Sequence, residues 1–274
     1  MELVNDIQAD ILEHLARFTF LSISQLKSLT GMSLQYVREQ VAILGQKKYV
    51  KSYHVEVAKV RAENIFYLTS SAKILLLENN KVFAHDIKLP IGVPLVVRDY
   101  HHRKHFVDLH ISFYNYCKKQ DITILTFLTY FDKAGNNRRD GNLESLTKIS
   151  IGDDMFFMPD GIAITEQGDT QTLYLLEMYN GKDTIRTIAQ LAKHAKAISL
   201  GSASKKYDIQ ANPFVLSVFE FESSKQAVIK RLQTNERFKV MSKLFFFASL
   251  DDVKRDFGNA WKDINDTPLF NRHT

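Results

Sequence analysis

Two carboxylates stand out by their setting. Pro159-Asp160-Gly161 lies within the apolar run FFMPDGIAI, and Glu177 sits seventeen positions after Asp160 in a second such run, TLYLLEMY. The stretch between the runs, EQGDTQ, has the composition of a turn. Two antiparallel strands joined there would set Asp160 beside Glu177, and carboxylates that close repel unless a cation bridges them. Oxygen-rich pairs suit Mg²⁺ or Mn²⁺, which keep several waters and also bind phosphate oxygens. The chemistry expected is therefore metal-dependent phosphodiester cleavage. A plainer reading stays open, in which Pro-Asp-Gly is an ordinary turn triplet and Glu177 pairs with a lysine. A basic helix follows with Arg186, Lys193, His194 and Lys196, from which Lys193 can point back at the pair.

A second concentration of chemistry is DYHHRKHFVDLH, with His101, His102, His105, Asp108 and His110. On a helix, His101, His105 and Asp108 share one face, able to supply a ligand or a proton-transfer group. The same residues also suit a charged helix end resting against solvent or DNA. The glutamate placement of a His-Glu-x-x-His zinc protease is missing. Between these groups, Lys133–Arg139 is polar and basic, and Arg138 and Arg139 can grip a phosphate backbone. A solvated loop is the alternative there.

The N-terminal third offers a different kind of site. Ser22 or Ser24 can cap a short helix that carries Leu26 and Leu29 and ends at Gly31. Ser33 can cap the next, whose Val37, Val41 and Leu44 face inward. Two short helices around a glycine-containing turn make a helix-turn-helix, whose second helix reads the major groove. Its outward positions are expected to be Ser33, Gln35, Tyr36, Arg38, Glu39 and Gln40, with side chains suited to base edges. Lys47, Lys48, Lys51 and Lys59 follow, where phosphates would run. Tyr49–Val57 and Asn64–Leu68 read as the two strands of a wing, and Thr69–Glu78 as a closing helix.

The elements that must position these groups divide the chain into residues 1–80 (winged helix-turn-helix), 81–97 (a linker with Pro90, Gly92 and Pro94) and 98–274. In the last part, a helix at Arg98–Lys119 precedes strands at Asp121–Phe131, Phe156–Ile164 and Leu173–Tyr179. A helix at Thr184–Ser199, a strand at Phe214–Phe219, a helix at Ser224–Gln233, a strand at Leu244–Ala248 and a final helix at Leu250–Ile264 complete it. Alternating helices and strands predict an α/β class for this part, α+β for the whole chain.

At 274 residues, with 19 Phe and 11 Tyr, the chain has the apolar area for a packed core. Its formal charge of +5 leans toward a polyanionic partner. The lone Cys117 excludes an intramolecular disulfide and a cysteine-cluster zinc site. No apolar run approaches a membrane span and the acidic N-terminus is unlike a signal peptide, so the expectation is a cytoplasmic protein without a membrane partner.

The order of these features resembles the replication-relaxation family of plasmid and integrative-element proteins, which includes the MOBC class of conjugative relaxases. A winged helix is followed by a helix with His105-x-x-Asp108, a strand, Pro159-Asp160, a strand ending in Glu177-x-Tyr179, and a helix with Lys193. NPFVLSVFE and KLFFFASLDD look like that family's closing strand-helix-strand unit. The resemblance covers nearly the whole chain and implies a restriction-endonuclease-like PD-(D/E)xK core. It implies that Asp160 and Glu177 bind Mg²⁺ or Mn²⁺ and that His105 or Asp108 takes an auxiliary position. It also implies nicking of double-stranded plasmid or mobile-element DNA, with a homodimer or relaxosome partners as the assembly. Where the nuclease pattern has lysine, or this family often aspartate, Tyr179 stands; Lys193 is the expected substitute, and Tyr179 is either a nucleophile or a ring on the sheet. Two alternatives remain at this point: a non-catalytic DNA-binding regulator with an inactive core, and an assembly factor whose winged helix contacts protein.

Overall fold

The computed structural model describes residues 4–57, 60–78, 87–89, 99–134, 144–152 and 155–270. Arg138, Arg139, Lys59 and most of the expected linker lie outside them. The chain is of mixed α/β character and forms two compact units, Met1–Ile111 and Ser112–Thr274.

In the first unit, α1 (Asp6–Phe18) begins at a capping box in which Asn5 and Gln8 satisfy each other's backbone N–H groups. A two-residue strand β1 (Leu21–Ser22) leads into α2 (Ile23–Thr30) through a second capping box, Ser22 with Gln25. Gly31, at φ 70°, ends α2 in the left-handed conformation that glycine adopts without strain. Ser33 then caps α3 (Leu34–Gln46) by accepting from the Tyr36 N–H. Strands β2 (Val50–Val57) and β3 (Val60–Leu68) pair antiparallel, and β1 adds to the far edge of β3 to give the order β1-β3-β2. Helix α4 (Ser70–Glu78) closes the unit. Ile11, Leu12, Leu15, Leu26, Val37 and Leu44, at helical spacing in their sequence, are all wholly buried.

The long helix α5 (Tyr100–Lys119) starts close to the expected position, yet the two units divide inside it, between Ile111 and Ser112, and not at a linker before it. The reason is local. Tyr100 packs with Phe20, Val55 and Ile65, Tyr100 and Lys104 both bond to Glu63 on β3, and Gln25 donates to Asp108 at 2.8 Å. Those contacts tie the start of α5 to the three-stranded sheet and to α2.

The second unit is built on a five-stranded sheet. In chain order its strands are β4 (Thr123–Thr129), then after two short ribbons β9 (Gly161–Gln167), β10 (Thr170–Tyr179), β11 (Phe214–Phe219) and β12 (Phe245–Ser249). The spatial order is β12-β11-β10-β9-β4, with β4, β9 and β10 antiparallel and β10, β11 and β12 parallel. The ribbons pair β5 (Lys133–Ala134) with β6 (Glu144–Ser145), and β7 (Ile149–Ile151) with β8 (Met155–Phe157). The expected single strand Phe156–Ile164 is thus two strands in two different sheets. Pro159, which has no N–H to give a ladder, lies at the break.

One face of the large sheet packs Leu175, Val215, Phe219 and Phe247 against α6 (Thr184–Ser199), α7 (Ser202–Tyr207) and α8 (Glu222–Leu232). The other face meets the aromatic end of α5, where Phe113 lies 5.6 Å from Tyr174 and 5.5 Å from Phe257 between ring centres. A short helix α9 (Glu236–Val240) precedes β12.

The final helix is shorter than the expected Leu250–Ile264. It runs only over α10 (Leu250–Arg255), because the residues beyond it fold back on the sheet. Trp261 is wholly buried, and the Phe247 N–H bonds to the Lys262 carbonyl at 2.8 Å. Gly258 makes this return possible: a Cβ there would stand 2.9 Å from a Tyr116 ring carbon. Gly258→Ala is expected to cost about 1–3 kcal/mol by overpacking, lowering Tm by about 2–4 °C per kcal/mol in calorimetry. An unchanged Tm would show that the Tyr116 ring yields freely.

Candidate active site

The carboxylate pair forms where a ladder runs out. The β9–β10 register pairs Gly161 with Leu176, so the next position places Asp160 level with Glu177. There the Asp160 side chain takes over the backbone's role, its Oδ2 accepting from the Met178 N–H at 2.8 Å. On the other side, the Asp160 carbonyl accepts from the Tyr130 N–H, fixing the residue to the end of β4.

Glu177 is wholly buried. Two side chains of α6 reach it: Gln190 Nε2 donates to Oε2 at 2.7 Å, and His194 Nε2 lies 2.6 Å from Oε1. Burial, and then the neighbouring Asp160 charge, push the Glu177 carboxyl well above the ordinary carboxylate range. Burial pushes His194 down to about 3. Both shifts favour the proton on the carboxyl, an arrangement in which its O–H donates to His194 Nε2. A neutral pair avoids the cost of two desolvated charges. The other ring nitrogen, Nδ1, has no hydrogen-bond partner and the ring packs edge-on to Phe157 at 4.6 Å.

Further buried polar atoms gather nearby. Ser217 is the β11 partner of Glu177 in the parallel register, and Tyr179 follows Glu177 by two on the same strand face. Both hydroxyls are buried and interact with each other, and the buried hydroxyl of Thr129, which pairs with Gly161, lies outside hydrogen-bonding geometry. Burial raises the Tyr179 hydroxyl well above its usual range, with Glu177 and Asp160 adding to it. A buried hydroxyl left without a partner costs about 1–3 kcal/mol.

Of the residues expected from sequence, Asp160, Glu177 and Tyr179 come together. Lys193 does not join them. It is exposed on α6, lining a groove with Met155 and Phe156. The helical phase explains this: Gln190 and His194 are one turn apart on the inward stripe with Leu191 and Ala195, whereas Lys193 shares the outward stripe with Ala189 and Lys196. The inward phase of Thr187, Leu191, Ala195 and Ile198 was the available signal that His194, not Lys193, faces the sheet. Asp108 is engaged in the first unit by Gln25, where the His105 ring also stacks on His101 at 4.2 Å between centres. Cys117 is buried, its thiol pushed up to about 12 by burial.

The candidate nucleic-acid residues also separate. Gln35, Tyr36 and Arg38 are exposed at the start of α3, with Gln35 donating to Glu39 at 2.9 Å. Ser33 is engaged as the cap. Gln40 is not outward: it is buried and accepts from Gln8 Nε2 at 2.9 Å, locking α3 to α1. Lys47 reaches back to Gln8 Oε1 at 3.4 Å, and Lys48 is exposed. Lys51 and Arg38 line one groove of about 810 Å³ between α3 and the strands of the first unit.

No protein-family model matches the chain, and comparison with curated proteins and with solved structures found no match. Among the described residues, no helix is long and apolar enough to cross a membrane.

The buried proton on Glu177 has a measurable consequence. Its folded value is raised, so its contribution to stability is complete below the unfolded value and is lost as pH rises toward the folded one. The slope is up to about 1.4 kcal/mol per pH unit for one proton. His194 works in the opposite sense, between about 3 and its ordinary range, so above neutrality it no longer offsets the Glu177 effect. Glu177→Gln keeps an acceptor for Gln190 without a titrating group. Denaturant titrations from pH 5 to pH 9 should show the variant gaining on the natural chain as pH rises. Parallel profiles would refute the buried proton.

Proposed function

We propose that the chain is a DNA-binding protein with a metal-dependent, nuclease-like centre, in which Asp160 and Glu177 are the working carboxylates. The observation that carries this reading is the register that brings Asp160 level with a buried Glu177 at the end of β9 and β10. The helix α5, the antiparallel β4, β9 and β10, the crossover α6 and the parallel β11 follow one another in the order of a restriction-endonuclease-like core.

The residues fit a divalent cation. Asp160 and Glu177 stand level at the end of the ladder, and burial, with the Asp160 charge adding to it, favours a proton on Glu177 that a cation such as Mg²⁺ or Mn²⁺ would replace. When bound there, such an ion supplies an activated water and stabilises the leaving oxygen of a phosphodiester. The chain's own contribution is orientation. Met178 N–H holds Asp160, Gln190 holds one Glu177 oxygen, and His194 is placed to take the Glu177 proton.

The first unit supports the DNA-binding half. Its order of α1, β1, α2, α3, β2, β3 with the sheet β1-β3-β2 supports the reading of a winged helix-turn-helix, with Gln35, Tyr36 and Arg38 exposed where a recognition helix would meet base edges. Arg38 and Lys51 in one groove suit a phosphate backbone.

A second reading has one observation in its favour. Both Glu177 oxygens are engaged by side chains of α6, and Lys193 is turned outward, which suits a non-catalytic DNA-binding protein on an inactive nuclease scaffold.

The deciding experiment is relaxation of supercoiled plasmid in Mg²⁺, Mn²⁺ or chelator. Metal-dependent nicking that falls by about a hundredfold or more in Asp160→Ala and Glu177→Ala is expected; nicking that survives both substitutions would sink the proposed centre. The binding half is tested separately by duplex affinity as a function of salt. Arg38→Ala and Lys51→Ala should each weaken binding and reduce the salt slope by about 1. Unchanged slopes would place the DNA elsewhere.

A further inference from the structure

The second unit carries an apolar, basic groove that the carboxylate pair does not use. It has a volume of about 520 Å³ and lies between the β7–β8 ribbon and the outward stripe of α6. Its floor is Met155 and Phe156 on one side and Ala189 and Ala192 on the other. Phe156 is 50 % exposed, an unusual setting for a phenylalanine, and Met155 and Met158 beside it are also exposed. Lys193, Lys196 and Arg237 line the same groove, and the Lys148 ammonium stands 4.6 Å over the Phe156 ring. No ion pair engages Lys193, Lys196 or Arg237 among the described residues. The neighbouring Glu236 is taken by Lys239 at 2.6 Å, and Lys148 itself is paired with Glu144. Asp153 and Asp154 of the ribbon turn lie outside the described residues.

An exposed aromatic ring on an apolar floor, bordered by cations, has the requirements of one class of ligand. A duplex offers phosphates but keeps its base faces stacked inside. An apolar peptide segment would leave the cations without a purpose. A single strand offers both a chain of phosphates and free base faces, and base–aromatic stacking does not depend on sequence. The small Ala189 and Ala192 leave room for a base between helix and ribbon. Met158 continues the exposed apolar surface to within two residues of Asp160, so a strand lying here would run toward the carboxylate pair.

We propose that this groove binds single-stranded DNA, with Phe156 stacking on a base and Lys193, Lys196 and Arg237 holding phosphates. The proposal rests on the DNA-processing reading for its choice of DNA, but it is tested without cleavage. A fluorescein-labelled twenty-nucleotide oligo(dT) is titrated with the full chain in chelator, at low and moderate salt, and followed by anisotropy. Phe156→Ala is expected to weaken binding by about fivefold to tenfold or more, and Lys193→Glu with Lys196→Glu to weaken it further and flatten the salt dependence. Duplex affinity should stay unchanged in these variants, while Arg38→Ala does the reverse. Circular dichroism and Tm of each variant establish that it is folded. Oligo(dT) affinity unaltered by either change would overturn the proposal. So would concentration-dependent self-association of the natural chain that Phe156→Ala abolishes, because the groove would then be a contact between copies. Failure of nicking with intact oligo(dT) binding would count against the catalytic reading alone.

Discussion

The end of the β9–β10 ladder governs the second unit. Backbone pairing stops at Gly161 and Leu176, and the Asp160 carboxylate takes the Met178 N–H that another strand residue would have taken. That substitution holds a negative group against the sheet at the level of Glu177, whose own side chain has no access to water. A buried carboxylate beside another cannot remain charged without compensation. The fold must therefore supply a proton, a cation or donors, and in this structure it supplies the donors and the proton acceptor from α6. The packing of that helix on the sheet and the chemistry of the pair are one constraint.

Buried polar atoms gather around the pair. The Thr129 hydroxyl and the Nδ1 of His194 are buried outside hydrogen-bonding geometry, whereas helix ends in both units are satisfied by side-chain caps, among them Asn5, Ser22, Ser33, Asp183 and Ser249. Buried polar groups set among apolar packing are one of the local conflicts that the proposed centre would account for. The same contrast appears between Gln40 and Arg38. The first is spent on joining α3 to α1, and the second, two positions away, is left exposed.

A helix can serve two surfaces when its stripes differ in chemistry. The inward stripe of α6 brings Gln190 and His194 to Glu177, and the outward stripe sets Lys193 and Lys196 beside Phe156. A rotation of one residue separates the two roles, so a substitution on one stripe is largely independent of the other at the level of contacts.

Local chemistry made several elements legible from the chain alone. Ser22, Gly31 and Ser33 bound two short helices because capping and left-handed backbone are decided within a few residues. The helix Thr184–Ser199 and the strand Phe214–Phe219 follow from apolar periodicity and ended where it ended. The adjacency of Asp160 and Glu177 was also readable, since a short turn between two apolar runs allows few pairings. Other features depended on what packs against what. Helix phase against the sheet chose His194 over Lys193, and the bond to Gln8 drew Gln40 inward. Contacts of Tyr100 with the three-stranded sheet and of Asp108 with α2 moved the division of units into α5. The return of Trp261 and Lys262 onto β12 cut the last helix short. A sequence specifies which side chains want burial or a partner; which partner they obtain is decided by residues tens of positions away, and only the tertiary structure brings those together.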